Sequence, residues 1–531
     1  MKKITSIFFL LMFQNFILIV YSQQPIQEWV KRYTDTSAAQ WDATSIKIDS
    51  LGFIYVLGET QNDFGFLKYS PAGNLLFASS YWPGGFDNGY GRYFDVTPQG
   101  TVYITGGVGI GFNTWIYTVK YNSNGVFQWG KLYNPDINDE PFDIKVDKSG
   151  NAIVIGGSQS YGLAIKYNPN GDTLWTRYAN VAAQRSTLER YICIDDTNNI
   201  YIAGNISWGG GKTLILKYNT VGNLRWNTTF TLDTNRSNLP HGISLDITGN
   251  IYVIGTQSIT GAGIHNYLLK LGNGGNVIWS SVFNGVNDGQ VSTLPVGPVV
   301  STNGNSIYYS TSIGINNSSA IAILKYNSLG DSQWVRLYNY GGAPSGIKND
   351  SYENVYVCGL GVYQNTGDDF VTIKYSPTGV QQWVATYSGE FMNSGDHAQD
   401  LFIDTSLNVY VTGYSPNLHS GYDAVTIKYA QPIGISNNSS ELPSEYRLYQ
   451  NYPNPFNAST VIIYQLPKES DVELSLFNSL GQIVKRIENK KQLAGTYSVM
   501  INMDNFSSGV YFYCLRTTNN FQETRKLILI K

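Results

Sequence analysis

The strongest constraint on this chain is a unit of about 50 residues that recurs through most of its length, a period typical of β-rich repeat arrays. The copy from Asp246 to Phe283 contains three short runs separated by a variable loop and a glycine turn, and Gly242 to Asp246 supplies a fourth run before it. Apolar/polar alternation, β-branched and aromatic enrichment and Gly/Asn punctuation predict four antiparallel strands. Because the chain has 531 residues, more than the roughly 250–300 at which one compact core stops growing, we expect a repeat array.

Two series of residues mark the repeats. The third strand of each unit ends in a lysine, at Lys68, Lys120, Lys166, Lys217, Lys270, Lys325, Lys374 and Lys428. The fourth strand carries an aromatic residue, at Trp29, Phe77, Trp129, Trp175, Trp226, Trp279, Trp334 and Trp383. Each series has eight members, but the second is offset, because the chain starts with a lone fourth strand and its last unit, which ends at Tyr429, has only three strands.

This offset favours a closed ring over an open array, since a ring can pair its first strand with its last unit and so leave no free sheet edge. The sequence therefore predicts an all-β fold with an eight-bladed β-propeller over residues 23–430, built of four-stranded blades and closed by the N-terminal strand. The units resemble the bacterial β-propeller repeat family, whose repeats read roughly D-x-x-G-N-x-Y-V-T-G. This resemblance covers about Trp29 to Tyr429.

Composition excludes some partners. The formal net charge is −3 and charged residues make up only 14% of the chain, so we expect no electrostatic attraction to nucleic acid. The three cysteines, Cys193, Cys358 and Cys514, lie in separate strands and are expected to be buried thiols rather than disulfides or metal ligands. No motif predicts a metal site or a cofactor.

The two termini differ from the repeats. Residues 1–22 combine two lysines with an apolar run and a small residue, which predicts a signal peptide. No later segment has the length of a transmembrane helix, so no permanent membrane anchor is expected. Residues 431–445 are rich in Ser, Asn and Pro and predict a linker. Residues 446–531 show about seven alternating strands, the size of a small immunoglobulin-like β-sandwich.

The last segment closely resembles the C-terminal sorting domain of the type IX secretion system of Bacteroidota-like bacteria. The matching stretches are Asn451 to Asn457, the Leu480-Gly481-Gln482 turn, Ala494 to Tyr497, Ser508 to Tyr511 and Lys526 to Lys531; the usual proline after the Phe-Asn pair is Ala458 here. The resemblance implies export to the extracellular space or the outer cell surface through that machinery. It also implies that Gly495, Gly509, Tyr511 and Lys526 belong to the sorting signal.

A ligand site is expected on one face of the ring. The loops that join the second and third strands of each blade, and those that join successive blades, are long and differ in every unit. Binding sites usually lie on variable loops held by a rigid scaffold. Four tryptophans lie in or beside these loops, with further aromatic residues nearby. The candidate ligand-binding residues are Trp41, Trp82, Trp115, Trp208, Tyr90 and Tyr93. Such rings can stack on sugars, although they can equally serve to hold long loops in place.

Two carboxylates near the start of first strands, Asp143 and Asp400, are candidate catalytic residues, since paired acids about 5–10 Å apart can cleave glycosidic bonds. Three functions remain open. The first is a non-catalytic binding or adhesion protein for an extracellular glycan or protein. The second is an extracellular polysaccharide hydrolase or lyase, and the third is a structural component of the cell surface.

Overall fold

The structure is a computed structural model. It describes residues 24–34, 41–60, 63–135, 138–158, 161–179, 187–206, 211–233, 236–259, 263–286, 289–301, 303–315, 318–363, 367–389, 394–417, 421–431, 445–451, 454, 459–503, 506–518 and 520–530. The predicted signal peptide and most of the predicted linker lie outside these residues. The chain divides into two compact units, Met1–Ala430 and Gln431–Lys531, and all regular structure in the described residues is β-strand.

The first unit begins with a single strand, which is followed by eight successive sets of antiparallel strands, here called blades. The single strand is β1 (Ile26–Tyr33). Blade 1 contains β2 (Asp42–Ile48), β3 (Ile54–Thr60), β4 (Asp63–Tyr69) and β5 (Leu75–Ser79). Blade 2 contains β6 (Asn88–Val96), β7 (Val102–Ile110), β8 (Asn113–Tyr121) and β9 (Phe127–Tyr133). Blade 3 contains β10 (Asp139–Val146), β11 (Ala152–Ser158), β12 (Tyr161–Tyr167) and β13 (Thr173–Ala179). Blade 4 contains β14 (Thr187–Ile194), β15 (Ile200–Ile206), β16 (Lys212–Tyr218) and β17 (Leu224–Phe230).

The second half of the ring repeats this plan with three additional short strands. Blade 5 contains β18 (Asn238–Leu245), β19 (Ile251–Ile259), β20 (Gly263–Leu271) and β21 (Val277–Phe283). The short strands β22 (Gly285–Val286) and β23 (Gly289–Val291) follow it. Blade 6 contains β24 (Val296–Val300), β25 (Ser306–Ile315), β26 (Ser318–Asn327) and β27 (Ser332–Tyr338). Blade 7 contains β28 (Pro344–Asn349), β29 (Val355–Tyr363), β30 (Gly367–Tyr375), β31 (Gln381–Tyr387) and the short β32 (Ser394–Gly395). Blade 8 contains β33 (His397–Ile403), β34 (Val409–Pro416) and β35 (Tyr422–Ala430).

The N-terminal strand supplies the missing fourth strand of blade 8. β1 pairs antiparallel with β35, with Trp29 opposite Lys428, and the sheet order is β1-β35-β34-β33. The first strand of every blade contacts the first strand of the next, and β33 of blade 8 contacts β2 of blade 1. These contacts close the ring around a central channel, and the predicted all-β propeller fold is confirmed.

Neighbouring blades share apolar cores and a repeated polar contact. One core cluster joins Tyr55 and Phe66 of blade 1 to Ile104 of blade 2, for example. On the polar side, the repeated lysine reaches the next blade: Lys325 Nζ donates to the Pro377 carbonyl oxygen at 3.0 Å. The same contact recurs from Lys68, Lys120, Lys166 and Lys270 to Ser123, Pro169, Thr220 and Ser328 respectively. These lysines therefore link neighbouring blades through hydrogen bonds.

In six of the eight blades the turn between the first and second strands is held by an aspartate. In blade 7, Asp350 Oδ1 accepts the amides of Tyr352 and Asn354 at 2.9 Å each, and Oδ2 accepts the Tyr356 hydroxyl at 2.8 Å. The same two-amide arrangement occurs at Asp49, Asp147, Asp195, Asp246 and Asp404. The oxygens of these carboxylates accept hydrogen bonds within the turns. This structural role explains why the aspartate recurs, and no ligand is needed to explain it.

The second unit is a two-sheet β-sandwich. Its strands are β36 (Arg447–Leu448), β37 (Ser459–Leu466), β38 (Ser470–Phe477), β39 (Ile483–Gln492), β40 (Gly495–Asn502), β41 (Gly509–Thr517) and β42 (Gln522–Leu529). The sheet orders are β36-β37-β40 and β39-β38-β41-β42. Buried side chains such as Leu448, Leu474 and Leu527 fill the core between them.

Candidate functional site

All eight first strands contain a β-bulge at the same height, next to the channel. In blade 2, for example, the register with β7 shifts between Gly91 and Tyr93, so that one extra residue, Arg92, enters the strand. The equivalent shift occurs in β2, β10, β14, β18, β24, β28 and β33. A bulge places two consecutive residues where a regular strand has one and changes the direction of their side chains. Each blade therefore presents a pair of residues at one end of the channel, which we call the channel mouth.

The bulge pairs do not repeat from blade to blade. They are Thr44–Ser45, Arg92–Tyr93, Phe142–Asp143, Arg190–Tyr191, His241–Gly242, Gly297–Pro298, Ser345–Gly346 and Gln399–Asp400. Blades 2, 3 and 4 contribute large side chains, which together we call the mouth wall. Blades 5 to 7 contribute a glycine each. The mouth is therefore asymmetric, although the frame that carries it is repetitive.

Cation–aromatic contacts order the mouth wall. The Arg190 guanidinium of blade 4 lies 5.1 Å from the ring centroid of Phe142 in blade 3. The Arg92 guanidinium lies 5.9 Å from the ring centroid of its neighbour Tyr93. Such contacts are worth roughly 0.5–2 kcal/mol and leave the N–H edge of the guanidinium available. Arg92 is exposed and Arg190 half-buried.

The mouth wall is compact enough for its charges to act between blades. Burial raises the pKa of Tyr93, and the charges of Arg92, Asp143 and Arg190 also act on it. Burial likewise raises the pKa of Tyr191 to about 12, with Arg190 opposing the shift. These two tyrosines therefore remain neutral hydrogen-bond donors at physiological pH.

His241, in blade 5, borders the wall. Burial and the charge of Arg190 lower its pKa to about 4. Its Nε2 lies 2.9 Å from the Thr256 hydroxyl. The imidazole is therefore neutral at physiological pH and adds no charge to the mouth.

Below the mouth, lysines line the channel. Lys47 Nζ lies 3.6 Å from Asp95 Oδ1 and Lys145 Nζ lies 3.4 Å from Asp143 Oδ1. Burial lowers the pKa of Lys47, and the charges of Lys145 and Lys348 act in the same direction while Asp95 opposes them. These lysines belong to the first strands of blades 1, 3 and 7, which line the channel.

The structure assigns bonding partners to the two predicted catalytic carboxylates. Asp400 Oδ2 accepts the Ser45 hydroxyl at 2.7 Å and the Ile46 amide at 3.2 Å, which ties blade 8 to blade 1. Asp143 pairs with Lys145 and raises the pKa of that lysine to about 12, against the lowering effect of burial. The two carboxylates thus belong to separate local networks.

The predicted aromatic residues fall into three groups. Trp41 is only 3% exposed and its ring lies edge-on against Tyr33, with centroids 5.1 Å apart, so it is a core residue and offers no surface to a ligand. Trp82 and Trp115 are half-buried and both contact Phe86, at 6.4 and 6.3 Å between centroids. Trp208 lies outside the described residues.

Tyr90 and Tyr93, the two remaining predicted residues, are both half-buried on β6. Tyr93 belongs to the mouth wall, where the structure brings it close to Asp143. The ring of Tyr90 lies over the backbone of Gly107, which has no side chain to obstruct it. Nearby, Phe112 at the tip of the β7–β8 hairpin is fully exposed.

The described residues hold neither a metal-ligand cluster nor a membrane-spanning helix. They contain no group of three or more His, Cys, Asp or Glu side chains arranged to hold a metal ion. They also contain no helix with the length and apolarity needed to cross a bilayer. Cys193 is half-buried on the channel-facing strand β14, which corrects the expectation that all three thiols are buried.

In the C-terminal unit, the Asn-rich segment before β37 fastens the last strand. Asn454 Oδ1 accepts the Ile528 amide at 2.8 Å and its Nδ2 donates to the Lys526 carbonyl at 3.1 Å. Gln450 Nε2 donates to the same carbonyl at 2.6 Å. The Asn454 side chain therefore pairs with the outer edge of β42 as a neighbouring strand would.

The four predicted sorting residues lie at strand starts and on the last strand. Gly495 begins β40 and Gly509 begins β41, and a Cβ added to Gly509 would meet no atom within 4 Å. The Tyr511 hydroxyl donates to the Ser507 carbonyl at 2.9 Å. Lys526 is exposed on β42. Packing thus gives no steric reason for the glycine at position 509.

Two family models match the chain. Residues 450–531 match the secretion system C-terminal sorting domain. The C-terminal unit is a sorting domain of this family. Domains of this family direct proteins through the type IX secretion system, so the chain is exported to the cell surface or the extracellular space. Residues 28–65 match the β-propeller repeat, in agreement with the ring described above.

No curated protein matches the chain, but solved structures resemble it at low identity. Quinohemoprotein alcohol dehydrogenase from Comamonas testosteroni is 10% identical with a TM-score of 0.48, over 81% of this chain and 80% of that chain. Polysaccharide lyase Uly1 is 9% identical with a TM-score of 0.44, over 76% and 99% of the two chains. A PL25 ulvan lyase is 11% identical with a TM-score of 0.41, over 62% and 92%. These similarities carry no statement about activity.

Sequence reasoning on the exported propeller missed most of the mouth wall. Arg92, Phe142 and Arg190 stand immediately before the residues aligned with Asp143, at the extra position of each bulge. Strict apolar/polar alternation has no place for an extra residue and therefore gives no sign of this position. The available signal was a variable position inside an otherwise constant first strand.

Proposed function

We propose that the chain is a secreted or cell-surface recognition protein whose propeller binds an extracellular glycan or protein at the channel mouth. The observation that carries this proposal is the series of eight bulges, each on a first strand and each presenting a different pair of residues. Packing alone would favour the same residues in every blade, as it does for the lysines and tryptophans. Variation confined to one end of the channel is what a binding site on a repetitive scaffold requires.

Ligand contacts extend, in this proposal, from the mouth wall to the outer loops of blade 2. Tyr93 belongs to the wall, and Tyr90, Trp82 and Trp115 follow it outwards with part of each ring exposed. Trp208 stays a predicted contact in the loop of blade 4. An extended ligand crossing the mouth would meet these rings in turn.

A polysaccharide hydrolase or lyase using Asp143 and Asp400 has less support. A catalytic acid or base must reach the proton that it transfers, whereas Asp400 is occupied by Ser45 and Ile46, and Asp143 by Lys145. A binding role needs neither carboxylate to be free. The structural-component hypothesis, in turn, gives no reason for the variable bulge pairs.

The test is a glycan-array and protein-binding screen with the purified full chain, a Phe142→Ala variant and a Tyr352→Ala variant. Phe142 lies in the mouth wall, whereas Tyr352 is an exposed aromatic residue in the β28–β29 turn of blade 7, at the opposite end of the first strand from the bulge, so the second variant is a control. We expect Phe142→Ala alone to weaken binding, with little change in melting temperature. Loss of binding only in the control would move the site away from the mouth, and release of cleaved sugar by the wild type would favour the enzyme.

A further inference from the structure

The channel mouth carries positive charge that its own carboxylates do not neutralise. Five cationic side chains line the mouth and the channel, namely Arg92, Arg190, Lys47, Lys145 and Lys348. Among the side chains that the structure describes, the carboxylates of Asp95, Asp143 and Asp400 act on these cations. This excess stands out in a chain whose formal net charge is −3.

The pairing of these groups is unequal. Lys47 and Lys145 have carboxylate partners, at 3.6 and 3.4 Å. Across the described part of the chain, Arg92 and Arg190 form no ion pair. Each guanidinium instead lies over an aromatic ring. An unpaired guanidinium in a solvent-facing site is a ready partner for an acidic group, because its planar fork matches a carboxylate or a sulfate with two hydrogen bonds.

The surroundings of the two arginines favour a ligand whose acidic groups are carried by a sugar chain. Tyr93, Phe142 and Tyr191 are half-buried and belong to the bulges of three successive blades, two of which also carry the arginines. Flat rings offer stacking faces to sugar rings, and the neutral hydroxyls of the two tyrosines add hydrogen-bond donors. An acidic peptide would use the arginines but would gain less from the rings.

We infer that the mouth binds an acidic polysaccharide, with Arg92 and Arg190 holding its carboxylate or sulfate groups and the neighbouring rings holding its sugar faces. This inference rests on the proposed binding function and specifies its ligand class. The lysines of the channel add a positive potential that draws the polyanion towards the mouth. Binding should accordingly weaken as salt is added.

The experiment measures affinity of the full chain for four soluble polymers by titration calorimetry. Polygalacturonate carries carboxylates, dextran sulfate carries sulfates, dextran is neutral, and polyglutamate is an acidic peptide. The variants are Arg92→Gln and Arg190→Gln, with Arg225→Gln as matched control. Arg225 is exposed on β17, the outermost strand of blade 4, so the control removes the same charge far from the mouth.

We expect one or both acidic polysaccharides to bind, and each mouth variant to weaken that binding about tenfold or more, the loss typical of a charge-assisted contact. The control should bind as the wild type does. Preference for polygalacturonate or for dextran sulfate identifies the acid. Arg92 is exposed, so its variant retains the fold even if Arg190→Gln does not, and melting curves check both.

Other outcomes overturn the inference in distinguishable ways. Equal binding of dextran, unaffected by either mouth variant, refutes the acidic ligand but leaves a glycan-binding propeller. Polyglutamate binding as tightly as the acidic sugars refutes the polysaccharide class. Equal weakening by Arg225→Gln reduces the effect to overall charge and refutes the two-arginine site. Absence of binding to all four polymers and to the ligands of the wider screen refutes the proposed function itself.

Discussion

Lys325 and Trp334 lie opposite each other on neighbouring strands of blade 6 and donate to the same acceptor, the Pro377 carbonyl oxygen of blade 7, at 3.0 Å each. The same cross-strand pairing of lysine and aromatic residue occurs in every blade. In blades 2, 3 and 5 as well, the lysine and the tryptophan donate to one and the same carbonyl oxygen. The two most regular residues of the sequence thus serve a single contact between blades.

Removing one donor tests this contact. Trp334→Phe keeps an aromatic ring but loses the indole N–H, and we expect it to lower the free energy of unfolding by about 1 kcal/mol beyond the cost of the smaller ring. Trp29→Phe is the matched control, because Trp29 holds the equivalent position in blade 8, is also half-buried, and its Nε1 has no partner within the described residues. Urea unfolding of both variants measures the difference. Equal losses would contradict the shared-acceptor role.

Lys374 gives the ring a pH dependence. Burial lowers the pKa of Lys374 from 10.5 to about 8, against the opposing charge of Asp350. Between these two values the unfolded chain binds the proton and the folded chain does not, so this lysine's contribution to stability rises with pH and is at its lowest below pH 8. From pH 7 to 9.5 we expect the wild type to gain about 2 kcal/mol relative to Lys374→Met. A difference between the two unfolding curves that stays constant over this range would refute the prediction.

Ring closure depends on a buried charge pair. Arg32 on β1 donates from Nε to Asp423 of blade 8 at 2.5 Å, and the Asp423 side chain is only 4% exposed. Arg32→Met leaves that carboxylate without its cation, and we expect a loss on the order of 3 kcal/mol. Lys31→Met, on the adjacent residue, is the control and should cost much less.

A second variant separates the buried charge from general disruption of β1. Arg32→Met combined with Asp423→Asn removes both charges, so part of the lost stability should return. Chemical unfolding measures all three proteins. If the double variant were no more stable than Arg32→Met, the charge would not be the cause.

The sorting domain allows recognition to be separated from folding. Gly509→Ala meets no neighbouring atom, so we expect its unfolding free energy to stay within about 0.5 kcal/mol of the wild type. We also expect its export to fall, because the predicted sorting signal includes this glycine. Ser507→Ala, an exposed neighbour, is the control for both measurements, which are thermal unfolding and cell fractionation in a type IX-secreting host. Normal export of Gly509→Ala would remove Gly509 from the signal.

Periodic features of the sequence predicted the frame well, because packing between blades imposes the same demand eight times. The lysines, the fourth-strand aromatics and the turn aspartates each have one structural role, and repetition made that role visible. The offset of Trp29 from Lys68 predicted that β1 would complete blade 8. Such inferences succeed where a residue's partners recur at a fixed distance along the chain.

The site was harder to predict because its residues come together only across blades. Trp41 and Trp82 both precede first strands, yet Trp41 is buried against Tyr33 while Trp82 is half-buried over blade 2. Nothing local distinguishes them. Arg92 and Arg190 escaped notice because a bulge breaks the alternation on which the strand prediction relied. Burial and register are tertiary properties, and one sequence shows them only when they repeat.

The bulges have a consequence for how such a protein can change over time. The extra residue of a bulge lies outside the regular strand pairing, so its side chain can be exchanged with little effect on the sheets. The lysine and tryptophan hydrogen bonds between blades are unchanged by such a substitution. Each first strand thus contributes one residue that can be replaced independently of the other blades. If the ring binds as proposed, its specificity can change through substitutions at these eight positions, one blade at a time.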